Sequence, residues 1–172
     1  MTESHQFLSE EFFIPTWKVK YLFLGTFNPA GGEKVNYFYG RESNYTWKIL
    51  SEIFETNFNP YLKSDLDIFI NFLKSKGIAC MDIIREVSFD ENNYDSRKVQ
   101  GQGYKDSNII NKKVARIYNT SAIIAIIKAN PAIRVFSTWG NGSDFKEWQI
   151  EIGKINNVIN LKSPSRAARV PK

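Results

Sequence analysis

Polar and aromatic side chains suited to binding a flat ring lie in one stretch of the sequence, residues 25–47. Two primary amides, Asn28 and Asn44, can each donate and accept hydrogen bonds. Three adjacent aromatics, YFY at residues 37–39, can stack. This combination suits a heterocycle with carbonyl and N–H edges. It does not suit a phosphate group, because the stretch lacks the Gly-rich strand-to-helix loop that cradles phosphates.

The stretch follows an apolar run at residues 20–24, whose length and composition favour a buried strand. Gly25, Asn28 and Pro29 come after the run, and such a cluster predicts a turn. In open α/β sheets, ligands bind at the carboxyl ends of the strands. We therefore expect the two amides and the aromatics to lie at the binding edge of a sheet.

Each of these residues also has a purely structural explanation. Asn28 precedes a proline, and an Asn in a turn often bonds its own backbone. Asn44 comes just before a helical pattern, and Asn is a favoured helix cap. Three adjacent aromatics frequently fill core and surface positions. The sequence leaves these alternatives open.

The rest of the chain alternates between strand-like and helix-like segments. The four strand-like segments are residues 20–24, 78–84, 134–139 and 157–161. Helical spacing relates two sets of apolar residues, Trp47, Leu50, Ile53 and Phe54, and then Leu66, Phe69, Ile70 and Leu73. Two further helices are predicted at residues 121–128 and after Ser143, the latter carrying Phe145, Trp148 and Ile152. This order predicts an α/β fold: one domain over residues 1–172, a three-layer α/β/α sandwich with a central, mostly parallel four-stranded sheet.

Two polar stretches are harder to place. For residues 1–17 we expect a loosely ordered start, followed by an apolar patch that docks on the sheet. Residues 85–106 are polar and include Gly101 and Gly103. A structureless stretch of about 20 residues in a compact domain is usually functional or mobile, and we favour a functional loop.

Several segments together resemble the motifs of the uracil-DNA glycosylase superfamily. LFLGTFNP at residues 22–29, the aromatic run and NYTW at residues 44–47 resemble its first motif region, and SPSRAAR at residues 163–169 resembles its second. The most similar branches are the mismatch-specific uracil/thymine and hypoxanthine-DNA glycosylases. Asp82, and DSNI at residues 106–109, fill places where the family has a strand-end Asp and an Asp-Ser-x-Ile element. Arg41 and Glu42 depart from the His-Pro pair of other members.

The resemblance implies a role for each matched residue. It makes Asn28 and Asn44 catalytic, with Asn28 orienting water or contacting the base edge. The implied base contacts are Thr26, Phe27 and Tyr39, with Tyr39 stacking on the extracted base. The implied DNA contacts are Ser163, Pro164, Ser165, Arg166 and Arg169.

Composition narrows the class of protein. Cys80 is the only cysteine, which excludes a disulfide framework and a cluster held by four cysteines of the chain, and fits a reducing compartment. The only histidine, His5, lies in a polar amino-terminal stretch, so we expect a surface role and a mechanism without an imidazole. The net charge is +5, and residues 161–172 carry four cations and no acid, which suits either phosphate contact or a solvated tail. No apolar run of 18 residues is present, so we expect a cytoplasmic protein without membrane contact.

We therefore expect a monomeric, monofunctional DNA glycosylase that flips and excises uracil or hypoxanthine in base excision repair, without metal or cofactor. Its partner is DNA containing a deaminated or mismatched base. One alternative is a nucleic-acid binding module of the same fold that has lost catalysis. Another is an α/β enzyme acting on free nucleosides or nucleotides.

Overall fold

The structure is a computed structural model that describes residues 1–56, 66–101, 104–110, 113–139 and 146–163. Its strands are β1 (Thr2–Ser4), β2 (Tyr21–Gly25), β3 (Ile78–Asp82), β4 (Ile84–Phe89), β5 (Val114–Tyr118), β6 (Arg134–Ser137) and β7 (Val158–Asn160). Its α-helices are α1 (Thr46–Ile53), α2 (Leu66–Lys76), α3 (Arg97–Gln100), α4 (Thr120–Ala129) and α5 (Lys146–Ile152). A 3₁₀ turn covers Asp106–Ile109.

The central sheet has four parallel strands in the order β3-β2-β6-β7. These are the four strands that the sequence predicts, so the α/β class and the four-stranded parallel sheet are confirmed. All five residues of β3 are buried, as expected of a parallel strand that is covered on both faces. The predicted strand at residues 78–84 is too long, because the chain leaves the parallel sheet after Asp82.

A second, antiparallel sheet with the order β1-β4-β5 is absent from the sequence prediction. It lies in part within residues 85–106, which therefore do not form a structureless loop. β1 pairs with β4 through Thr2, Glu3 and Ser4, and His5 N–H donates to the carbonyl of Arg85 at 2.9 Å. The loosely ordered start that we expect for residues 1–17 is corrected accordingly, since a sheet edge fixes their first residues.

Alternate side chains of the central sheet enter two different core clusters. Leu22 and Leu24 pack in one cluster with residues of β4, β5, α4 and α5, whereas Ile78 and Cys80 pack in the other with residues of α1 and α2. The second cluster also contains the amino-terminal Phe7, Phe12 and Phe13, which confirms that this apolar patch docks on the sheet.

The predicted helices are present, with local differences. Trp47 and Leu50 of α1 are buried and Phe54 packs against the same core cluster, but Ile53 is 64% exposed, so the predicted apolar face is wrong at this one residue. The apolar stripe of α2 is confirmed, with Phe69 and Leu73 fully buried. Ser143 and Phe145 of the predicted last helix lie outside the described residues. Within the described ranges, every helix is too short or too polar to cross a bilayer.

The docking of the amino-terminal segment yields a stability prediction. Phe7 is 3% exposed and its ring centroid lies 5.0 Å from that of Phe38. We expect Phe7→Ala to lower the free energy of unfolding by about 3 kcal/mol, because it leaves a cavity in the core. Urea denaturation measures this change, with Ile14→Ala as the control because Ile14 is 44% exposed. Equal losses for the two variants would show that the segment does not contribute to the core.

Candidate functional site

The order of the parallel strands points to one edge of the sheet. From β2 the chain reaches β3 on one side and later β6 on the other, so the direction of winding changes between β2 and β6. In sheets of this kind, ligands bind at that switch point, outside the carboxyl ends of the strands. Those ends are followed here by Thr26 to Asn28 after β2 and by Thr138 after β6. Asp82 is the last residue of the neighbouring β3.

Asp82 is the centre of the polar groups at this edge. The residue is 2% exposed, and its Oδ2 accepts a hydrogen bond from His5 Nε2 at 2.8 Å and one from Asn28 Nδ2 at 2.9 Å. Burying a carboxyl group is costly unless donors such as these are hydrogen-bonded to it. The backbone is fixed as well, because Ile83 N–H and Ile84 N–H donate to the carbonyls of Gly25 and Thr26.

His5 is a buried partner of this carboxylate, which corrects the surface role expected from the sequence. Its Nδ1 accepts a hydrogen bond from the backbone N–H of Phe7 at 3.1 Å. Nδ1 therefore carries no proton, and the ring proton lies on Nε2, which donates to Asp82. The imidazole is 2% exposed and surrounded by four aromatic rings, so it orients Asp82 and does not face solvent.

Gly25 gives the carboxylate its room. A Cβ at this position would lie 2.2 Å from Asp82 Oδ1 and 3.2 Å from the hydroxyl of Tyr39. Both distances are shorter than normal contacts with a carbon atom. The glycine of the β2 turn is thus required by the close approach of two side chains.

The turn alternative predicts that the Asn28 side chain bonds its own backbone, and the structure shows a different partner. Its Nδ2 donates across the sheet edge to Asp82, 54 residues away in sequence. A carboxylate only accepts hydrogen bonds, so this contact assigns the amide nitrogen and oxygen and leaves Oδ1 as an acceptor. Within the described part of the chain, no donor reaches Asn28 Oδ1.

Tyr39 has a backbone conformation that is uncommon outside glycine, with φ of 58°. Its hydroxyl lies 3.1 Å from Thr138 Oγ1, which places the ring across the switch point between β2 and β6. Burial raises the pKa of Tyr39 well above its ordinary value, so the phenol remains protonated. Non-glycine residues with positive φ cost about 1–2 kcal/mol and concentrate at functional sites.

A second carboxyl group, that of Asp106, lies near Asp82. Burial raises the pKa of Asp106, and the negative charge of Asp82 acts in the same direction. Hydrogen bonds from Thr26 and from the Tyr104 hydroxyl, the latter at 3.2 Å, and the positive charge of Arg41 partly offset this rise in pKa. The guanidinium carbon of Arg41 lies 5.9 Å from the centroid of the Tyr104 ring. The site thus contains two neighbouring carboxyl groups, and the pKa of Asp106 is raised.

The remaining predicted residues fall into three groups. Phe27 is 3% exposed and packs against the rings of His5 and Tyr104, so it is a core residue next to the site. Asn44 Oδ1 accepts hydrogen bonds from the Thr46 backbone N–H at 2.9 Å and from the Thr46 hydroxyl at 2.7 Å. The N-cap residue of α1 is Tyr45, so Asn44 forms a local turn just before the helix and is not the cap itself.

The third group is the predicted DNA-contacting segment. Ser163 is half-buried and lies three residues after β7, so it leaves the sheet at the same carboxyl edge as Asn28. Pro164, Ser165, Arg166 and Arg169 lie outside the described residues.

A cavity of about 390 Å³ is lined by residues of the 33–43 loop, but neither Asn28 nor Asp82 lines it.

A scan against protein-family models, a search of curated proteins and a search of solved structures each return no match. Among the described residues, no group of three His, Cys, Asp or Glu side chains is arranged to hold a metal ion.

Three residues of the site are missed by sequence reasoning: His5, Tyr104 and Thr138. Thr138 could have been found, because any residue that follows a parallel strand lies at the binding edge. His5 and Tyr104 carry no such signal. Their positions depend on the antiparallel sheet and on the connection after α3.

The raised pKa of Asp106 yields a prediction about stability and pH. As the pH rises, the unfolded chain loses this proton before the folded chain does, so ionisation of Asp106 destabilises the fold. We therefore expect the stability of Asp106→Asn relative to wild type to increase from pH 3 to pH 7, measured by urea denaturation.

The control is Asp90→Asn, because hydrogen bonds from Asn92 and Asn93 lower the pKa of Asp90. Its stability relative to wild type should change with the opposite sign over the same pH range. Parallel curves for the two variants would contradict a raised pKa at Asp106.

The position of Asn44 yields a second prediction. We expect Asn44→Ala to lower the free energy of unfolding by about 1 kcal/mol, because the Thr46 N–H and hydroxyl lose their shared acceptor. Ser43→Ala, at the exposed neighbouring residue, is the control and should change stability little. An unchanged stability for Asn44→Ala would show that this turn does not stabilise the start of α1.

Proposed function

We propose that this protein is a DNA glycosylase that hydrolyses the N-glycosidic bond of a deaminated base, uracil or hypoxanthine, in base excision repair. One observation carries the proposal: the Asp82 carboxylate fixes the Asn28 amide so that its Oδ1 is an oriented acceptor at the switch point. Such an acceptor can bind an attacking water or the ring N–H that both bases present. This supports the predicted role of Asn28 and the resemblance to the uracil-DNA glycosylase superfamily.

The chemistry requires little more than charge and position. As the bond between C1′ and the base nitrogen breaks, the electron pair leaves with the base and positive charge develops on the sugar. The carboxyl groups at this edge, when ionised, lower the free energy of that cation. Asn28 Oδ1 accepts a hydrogen bond from the water whose oxygen bonds to C1′. One proton of that water stays on the new C1′ hydroxyl, and the other passes through solvent to the departing base.

The flipped base would be held by the ring of Tyr39. Stacking on an aromatic ring contributes about 1–3 kcal/mol per base, which offsets part of the cost of extrusion. The half-buried Tyr39 meets this need better than Phe27, whose ring is enclosed by other rings. Asn44 would have a minor part in base recognition, because its Oδ1 is engaged at the start of α1.

We also propose that the protein is a single domain with three α/β/α layers, and that it is monomeric and cytoplasmic. Its proposed DNA contacts are Ser163, Pro164, Ser165, Arg166 and Arg169. The location of Ser163 beyond β7 supports the DNA contacts, since that strand ends at the same sheet edge as β2.

The activity is tested with duplexes that contain uracil, hypoxanthine or a G·T mismatch. Incubation with the protein and then with alkali should cut the strand at the uracil or hypoxanthine, because abasic sites are alkali-labile. No scission on any duplex, beside an active control glycosylase, would refute the proposal. The inactive binding module would then be favoured if the affinity for DNA still fell steeply with salt.

The role of Asn28 is tested by single-turnover excision rates. We expect Asn28→Ala to slow excision about 100-fold, the effect of removing a group that positions the nucleophile. Asn92→Ala is the matched control, because Asn92 lies in an exposed turn bonded to Asp90. A rate within threefold of wild type for Asn28→Ala, at unchanged melting temperature, would remove Asn28 from the reaction.

A further inference from the structure

A second cavity, of about 850 Å³, lies at the opposite edge of the central sheet. It is formed where the chain enters β2 and β6, between residues 16–21 and residues 129–134. The length of β2 separates it from Asn28, a distance of about 15 Å at the usual rise per residue. Its volume falls in the range of ligand-binding sites.

The walls of this cavity are positively charged. Lys18, Lys20 and Arg134 line it, all three are exposed, and none of its lining residues is acidic. Lys74 adds a fourth cation beside it, with Nζ 5.7 Å from the centroid of the Trp17 ring. In the part of the chain that the structure describes, none of the three lining cations is paired with an acid. Such a cluster favours a ligand with several negative charges, because that ligand releases counterions on binding.

Two aromatic side chains also line the cavity, Trp17 and Tyr21, and both are half-buried. The Trp17 indole is held in place, because its Nε1–H donates to the carbonyl of Ile78 at 2.9 Å. A ring that is fixed in this way and partly open to solvent, as that of Trp17 is, can stack on a base at a small entropic cost. Cations with interleaved aromatics are the combination that binds single-stranded nucleic acid.

The backbone around the cavity is preformed. Val19 N–H donates to Asn130 Oδ1 at 2.9 Å, and Arg134 N–H donates to the carbonyl of Lys20 at 2.8 Å. These bonds fix the spacing between the cations of the two segments. The site therefore requires no large rearrangement before a ligand binds.

One feature opposes an anionic ligand: the carboxyl end of α4 lies at the cavity, and helix carbonyls carry about half a negative charge there. The opposition is reduced by Asn130, whose Nδ2 donates to the carbonyl of Ile126, and by Lys128 in the last helical turn. Lys18, Lys20 and Arg134 together carry three full positive charges, which exceed the half negative charge at the end of the helix.

We propose that this cavity is a second nucleic-acid site, which binds a short stretch of undamaged single strand through its phosphates and bases. The inference goes beyond the proposed function and does not depend on it, because binding here needs no damaged base and no excision. If both hold, the protein contacts nucleic acid at two opposite edges of the sheet.

The test uses a labelled 12-nucleotide oligo(dT) without damage and measures its affinity by fluorescence anisotropy at several salt concentrations. We expect the triple variant Lys18→Glu, Lys20→Glu, Arg134→Glu to bind at least tenfold more weakly. The slope of affinity against salt should fall by about 2, because each phosphate contact of a single strand contributes about 0.7. A control variant with the same charge change at exposed Arg85, Lys98 and Lys105 should lose less than threefold.

Crosslinking locates the bound strand. Oligo(dT) with 4-thiothymidine, irradiated in the complex, should crosslink to the peptide that contains Trp17 and Tyr21. Equal losses for the two triple variants, or crosslinks confined to the carboxyl edge of the sheet, would overturn the proposal. Competition by free dTMP as strong as that by the oligonucleotide would also overturn it, because the site would then bind a mononucleotide. None of these results depends on glycosylase activity.

Discussion

The burial of one carboxylate, that of Asp82, constrains the arrangement of most of the site. A buried carboxylate costs several kcal/mol unless donors surround it. The donors come from two distant segments, His5 near the start of the chain and Asn28 after β2. The space comes from Gly25, which has no Cβ to contact Oδ1. The residues that satisfy this single charge therefore hold the amino-terminal segment, the turn after β2 and the end of β3 together.

The antiparallel sheet is the means by which His5 reaches this position. Only Ile83 separates Asp82 at the end of β3 from β4, and β4 pairs directly with β1. His5 follows β1, so its distance from Asp82 is fixed by strand pairing and not by a flexible loop. In this fold the parallel sheet supplies the binding edge, and the antiparallel sheet supplies the group that orients its central carboxylate. The aromatic rings around His5 exclude water from that contact.

The sequence predicts the parallel sheet well because β2, β3 and β6 are short, mostly apolar runs whose burial does not depend on a particular partner, and because β7 has an apolar pattern although Ile159 is 47% exposed. It fails for β1 and β4, whose burial is one-sided and whose polar residues dominate the pattern. In β4 a register shift between Ile84 and Glu86 also disturbs the alternation, so that Ile84 and Val87 are both buried although three residues apart. Asn28 and Tyr39 could be selected from their chemistry and their location after a strand. His5 could not, because its partner lies 77 residues away in sequence.

The sequence separation between His5 and Asp82 determines when the contacts at the carboxyl edge of the parallel sheet can form during synthesis. The residues around His5 are synthesised before β4, the strand that pairs with them, which follows some 80 residues later. β5, which pairs with the other side of β4, comes later still. Phe7, Phe12 and Phe13 can pack sooner, because the rings that they contact, Tyr37 and Phe38, precede β4 in the chain. The aromatic contacts of this segment can therefore form before its strand pairing, and the hydrogen bond from His5 to Asp82 becomes possible only once β3 has been synthesised.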